Sequence, residues 1–89
     1  MALYTFNLEY KGFTSVQQST GSTLKQALEN WAHAFVLGNA SGLPSNRKEI
    51  AMSLSKASPT PVSGVRNVWC VTGQVDSKLA LMNIILTRE

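Results

Sequence analysis

Chemistry in this chain would have to come from few side chains. His33 is the single histidine and Cys70 the single cysteine. His33 falls opposite an apolar stripe at helical spacing, which makes it a solvated surface residue and not a base or a ligand. Cys70 falls in a Val- and Trp-rich run, and a thiol buried among apolar groups is inert. A single cysteine allows no internal disulfide, so a reducing, cytoplasmic setting is expected. The five acidic residues, Glu9, Glu29, Glu49, Asp76 and Glu89, are scattered. No two are spaced for acid–base work. No Cys or His cluster has metal-ligand spacing, and no Gly-rich phosphate loop or nucleophile elbow is present. These residue types point away from an enzyme, a metal and a cofactor.

Charge is the more informative signal. The net charge is +3. Residues 1–46 balance Lys11 and Lys25 against Glu9 and Glu29, and residues 67–89 balance Lys78 and Arg88 against Asp76 and Glu89. The whole excess lies in between, where Arg47, Lys48, Lys56 and Arg66 face only Glu49. A local positive patch attracts nucleic acid or an anionic partner, so these four cations are the candidate contact residues. The plain alternative is a solvated helix face. Four cations are few for nucleic-acid binding, in which phosphate contacts carry most of the affinity. Lys11-Gly12-Phe13-Thr14-Ser15-Val16 resembles the start of the RNP1 motif of RNA-recognition domains. Ser15 and Gln18, however, stand where stacking aromatics belong.

The elements that would position these residues follow from periodicity. Tyr4, Phe6, Leu8 and Tyr10 alternate with Leu3, Thr5, Asn7 and Glu9, which predicts a strand with one apolar face over 3–10. Lys11-Gly12 then predicts a tight hairpin into a second strand over 13–18. Gln17 and Gln18 mark that strand as exposed or near an edge. Ser19 to Thr23 reads as a turn. Thr23 and Gln26 fit a capping box. Leu24, Ala27, Leu28, Trp31 and Phe35 form one stripe of a helix over 23–37, stopped at Gly38-Asn39. Loop residues fill 38–46. Asn46 and Glu49 predict a second cap and a short helix to about Lys56, although Arg47 and Lys48 oppose its dipole. Ser58-Pro59-Thr60-Pro61 predicts an extended connection. Val65–Thr72 predicts an interior strand, 73–77 a loop, and Leu79–Thr87 a last strand. If that strand has a free edge, it invites homodimerisation.

The expected fold is therefore a single α+β domain over residues 1–89. It has a mainly antiparallel sheet of about four strands in ββα(α)ββ order, with helices on one face. Composition agrees. Hydrophobic residues make up 44% and charged residues 15% of the chain, against roughly 25% charged in average domains. The surface is thus polar but weakly charged, which excludes a disordered chain or a disulfide scaffold. The start of the chain lacks signal-peptide character, and no apolar run approaches the roughly 20 residues that cross a bilayer. Asn39-Ala40-Ser41 matches a glycosylation acceptor by chance.

One segment carries a family resemblance. Gly21-Ser22-Thr23-Leu24-Lys25-Gln26-Ala27-Leu28-Glu29-Asn30 resembles the strand-to-helix junction of the HicB-like antitoxins, in which G-[DS]-T-x-x-E-A-L-x-N recurs. Gln26 takes the place of the usual Glu. The preceding strand pair is also similar, so the resemblance spans residues 3–37. It implies a non-enzymatic domain that binds a protein partner, typically an mRNA-cleaving toxin. The expected function is thus a small binding protein acting on a macromolecular partner. A weak nucleic-acid binder and a homodimeric domain are the alternatives.

Overall fold

The alternation in the first ten residues dictates where the core lies. In the computed structural model, which describes residues 1–38 and 43–89, β1 (Ala2–Tyr10) turns Tyr4, Phe6, Leu8 and Tyr10 inward and buries all four. The hairpin at Lys11-Gly12 has both residues in the left-handed region, at φ 49° and 78°. Their twist matches that of the flanking strands. β2 (Phe13–Gly21) pairs antiparallel with β1 along its whole length, from Tyr10↔Phe13 to Ala2↔Gly21. The strand expected to end near Gln18 thus runs on to Gly21, because β1 offers backbone partners that far.

α1 (Leu24–Leu37) starts at the predicted cap. The Thr23 hydroxyl accepts from the Gln26 N–H at 3.1 Å, and Gln26 Oε1 accepts from the Ser22 N–H at 2.6 Å. Two otherwise orphaned backbone donors are satisfied in this way. The helix comes down close on the sheet at Gly21, where a Cβ would lie 2.5 Å from the Ala27 nitrogen. Ala27, Leu28, Trp31 and Phe35 are buried, and His33 is exposed as expected. Trp31 stacks between Phe6 and Phe35, with ring centroids 5.8 and 5.1 Å away. The helix ends at Gly38, which is extended at φ −61° and not left-handed. Asn39, the other half of the expected stop, and the Asn39-Ala40-Ser41 tripeptide lie outside the described residues.

α2 (Arg47–Lys56) buries Ile50, Ala51 and Leu54. Asn46 precedes it but makes no side-chain cap. Its amide instead donates to Tyr10 Oη at 3.1 Å and Asp76 Oδ2 at 2.8 Å, which ties the start of α2 to two strand ends. The connection that follows contains β3 (Thr60–Pro61), a two-residue strand paired with Cys70 and Trp69.

β4 (Val68–Val75) and β5 (Lys78–Arg88) form the second hairpin. β4 starts later than expected because Asn67 adopts φ 62°, which an extended strand excludes. It also runs through the expected 73–77 loop, which shrinks to a turn at Asp76-Ser77, both left-handed. At Gly73 an added Cβ would meet the Ser53 hydroxyl of α2, which would have to turn aside.

Among the described residues the sheet has five strands, ordered β2-β1-β5-β4-β3, with antiparallel pairing throughout. The α+β class holds; the order is ββααβββ, one short strand more than expected. Both helices pack on the same face. α1 lies over β1 and β2, α2 over β4 and β5, and the helices touch each other. Tyr10 Oη donates to the Val75 carbonyl at 2.9 Å, a buried bond that clamps β1 to the end of β4.

Candidate functional site

The four candidate cations are spread along α2 and onto the connection between β3 and β4. Arg47 is half-buried, and its Nε donates to the Val36 carbonyl at 3.0 Å. That carbonyl belongs to the last turn of α1, whose orphaned acceptors and negative dipole end favour a cation. Arg47 was expected on the surface, free to bind; instead it caps a neighbouring helix. Lys48 is exposed at the same end of α2, where it borders a shallow recess shared with Glu29, His33 and Met52. Lys56 stands at the other end of this ten-residue helix, roughly 14 Å away at 1.5 Å rise per residue. Arg66 is exposed on the connection between β3 and β4.

What the fold does bring together is Lys56 and Lys25. Both line a groove of about 690 Å³ between the N-terminal half of α1 and the C-terminal end of α2. Leu24, Leu28, Ala57 and Pro59 supply its apolar lining, and Glu29 shares its rim. The pairing of Lys25 with Lys56 was invisible in sequence, because Lys25 lies in the charge-balanced first half of the chain. Among the described residues no three His, Cys, Asp or Glu side chains converge on a point. No helix among them is long and apolar enough to cross a membrane.

A broader surface lies on the other side of the sheet. Both helices cover one face, so the residues alternating with the core point away from them. Strand register aligns these residues in rows. Thr14, Glu9, Leu81 and Thr72 form one row, Val16, Asn7, Asn83 and Cys70 the next, and Gln18, Thr5, Ile85 and Val68 a third. In these three rows Glu9 is the only charged residue. Leu81, Ile85, Val68 and Cys70 are half-buried by their neighbours, and Val16 is 64% exposed. Gln18 Nε2 donates to the Thr5 hydroxyl at 3.2 Å, and Thr5 shares a hydrogen bond with Thr87. Asn7 Oδ1 is enclosed with no hydrogen-bond partner. Cys70, expected to be buried, is a free, half-buried thiol on this face.

The edges of the sheet are also decided by register. β5 lies between β1 and β4 and is paired on both sides. The condition for homodimerisation through this strand, a free edge, is therefore not met. β2 is the outer strand on one side.

No protein-family model matches the chain, and no curated protein or solved structure matches it either.

Proposed function

We propose that this chain is a non-enzymatic binding domain that docks a protein partner on the uncovered face of its sheet. The observation that supports this most is the contrast in charge. The helix layer carries Lys25, Glu29, Lys48, Glu49 and Lys56, while the three central rows of the open face carry Glu9 alone. A neutral surface with half-buried aliphatic groups resembles the core of an interface, where charge is depleted. The resemblance of Gly21–Asn30 to the HicB-like antitoxins makes a toxin-type protein the first partner class to try.

Affinity purification from the source cells, followed by partner identification, tests the reading. A partner should co-purify with the wild type and with Lys48→Glu. It should be lost with Leu81→Arg, whose denaturant melt remains close to wild type. Retention by Leu81→Arg together with loss by Lys48→Glu would place binding on the helix layer and overturn the reading.

Nucleic acid is the second reading, supported by the pairing of Lys25 with Lys56 in one groove. The Arg47 bond to Val36 leaves Lys48, Lys56 and Arg66 of the four candidate cations for phosphate contacts. With Lys25 they make four such contacts, which give a log–log salt slope of about −3.6 on duplex DNA. No gel shift of DNA or RNA at ~50 mM salt, where such contacts are strongest, would remove it.

A further inference from the structure

We propose that the chain self-associates through β2, which pairs antiparallel with β2 of a second copy about a two-fold axis at Gln17. The two sheets then join into one. This inference stands independently of the partner proposed above, because it uses the sheet's edge and not its open face.

Three observations carry it. The first is an edge that carries no charge or proline and is open from Thr14 to Gln18. The two-residue turn at Lys11-Gly12 makes Tyr10 and Phe13 a hydrogen-bonded pair. The alternation that follows turns the backbone groups of Phe13, Ser15, Gln17, Ser19 and Gly21 toward β1. Those of Thr14, Val16, Gln18 and Thr20 point away from the sheet, where the Thr20 carbonyl accepts from Asn30 Nδ2 at 2.8 Å. Exposed edges are normally blunted by lysine, proline, a bulge or shortness. The other outer strand, β3, has two residues, one of them Pro61. β2 has nine, with no charge and no proline, and its register with β1 has no break.

The second observation is self-complementarity, which selects the occupant. Thr14-Ser15-Val16-Gln17-Gln18-Ser19-Thr20 reads the same in both directions except at Val16 and Gln18. Antiparallel pairing about Gln17 sets Thr14 opposite Thr20 of the second copy, Ser15 opposite Ser19 and Val16 opposite Gln18. Outward-facing backbone groups meet outward-facing groups in this register, and no like charges are opposed. An isologous contact of this kind closes on itself.

The third observation is an unpaired group at the axis. Gln17 Oε1 is enclosed with no hydrogen-bond partner, and a lone buried acceptor is costly. At the axis the two Gln17 residues form a non-hydrogen-bonded pair, with Cα atoms about 4.5 Å apart. Turned outward from its enclosed position, each amide lies beside its mate and can exchange N–H···O bonds with it, which gives each Oε1 its donor.

An edge contact of seven residues is small, so the dimer is a weak one that forms at high protein concentration. Sedimentation velocity across the micromolar to submillimolar range should show a monomer–dimer shift. Val16→Pro removes an outward N–H without touching the β1 ladder, and Val16→Lys guards the edge with charge. Each should weaken association by about tenfold or more. In a Cys70→Ser background, Gln17→Cys should cross-link readily with oxidised glutathione, since the paired Cα atoms lie within the disulfide range of about 4.4–6.8 Å. Thr14→Cys, far from its own mate, should cross-link much more slowly. A wild-type protein that stays monomeric at every concentration would overturn the proposal. So would a dimer that neither Val16 variant weakens, or one in which Thr14→Cys cross-links faster than Gln17→Cys.

Discussion

The two faces of this sheet are built from the same strands, yet they differ in almost everything that burial controls. On β5, Ile84 is fully buried beneath the helices and Ile85, its neighbour, is half-buried on the other side. On β1, Phe6 is buried between Thr5 and Asn7, which face outward. Strand propensity does not distinguish the two rows, since Val, Ile and Thr occur on the open face. The difference comes from the covering layer. α1 and α2 close over one face and turn it into a packed core, where removing a methyl group leaves a cavity. The other face keeps its side chains in contact only with one another. Stability and availability for partners are therefore separated across the thickness of one sheet.

The largest effect should come from the middle of the covered face. Trp31 is 1% exposed and stacked on two rings. Trp31→Ala should cost about 3–5 kcal/mol in a denaturant melt, enough to unfold many small domains. A loss below ~1 kcal/mol would mean that α1 does not pack as described.

A smaller effect is expected where the covered face is clamped at its end. Tyr10→Phe removes the donor to the Val75 carbonyl and the acceptor for Asn46. It should cost about 1–3 kcal/mol, because the carbonyl stays buried without its partner. An unchanged melting midpoint would show that the clamp contributes nothing.

The smallest pair concerns two neighbouring cations. Arg47→Ala should cost about 1 kcal/mol through the lost cap on α1. Lys48→Ala, exposed beside it, should stay within about 0.5 kcal/mol of wild type. Equal effects would return Arg47 to the surface patch that its sequence position suggested.

These contrasts also show what could be read from the chain. The α1 stripe and the β1 row were legible because each fills its period with large apolar residues, from Leu24 to Phe35 and from Tyr4 to Tyr10. The end of β4 was not, because Gly73-Gln74 reads as a loop until α2 is placed against it. β3 has two residues, one a proline, and depends on β4 for its definition. The open face was half legible, since Thr5, Asn7 and Glu9 showed the outward row of β1. Which strands extend it depends on the order β2-β1-β5-β4-β3, and long-range pairing leaves no local signal. For the same reason the sequence left open whether β5 has a free edge, and the strand order places it at the centre. Arg47 carried the correct charge for a contact residue, but its bond to Val36 follows from how the two helices meet.

Truncation of adjacent residues on β5 tests the division between the two faces most directly. Ile84→Ala and Ile85→Ala remove the same atoms from the same strand and change strand propensity equally, so their difference isolates what covers each side. In parallel denaturant melts, Ile84→Ala should cost about 3–4 kcal/mol and Ile85→Ala about 1 kcal/mol. The Ile85 variant should also lose affinity for a partner that the wild type retains. Equal losses in the two melts, or a larger loss for Ile85→Ala, would contradict the account.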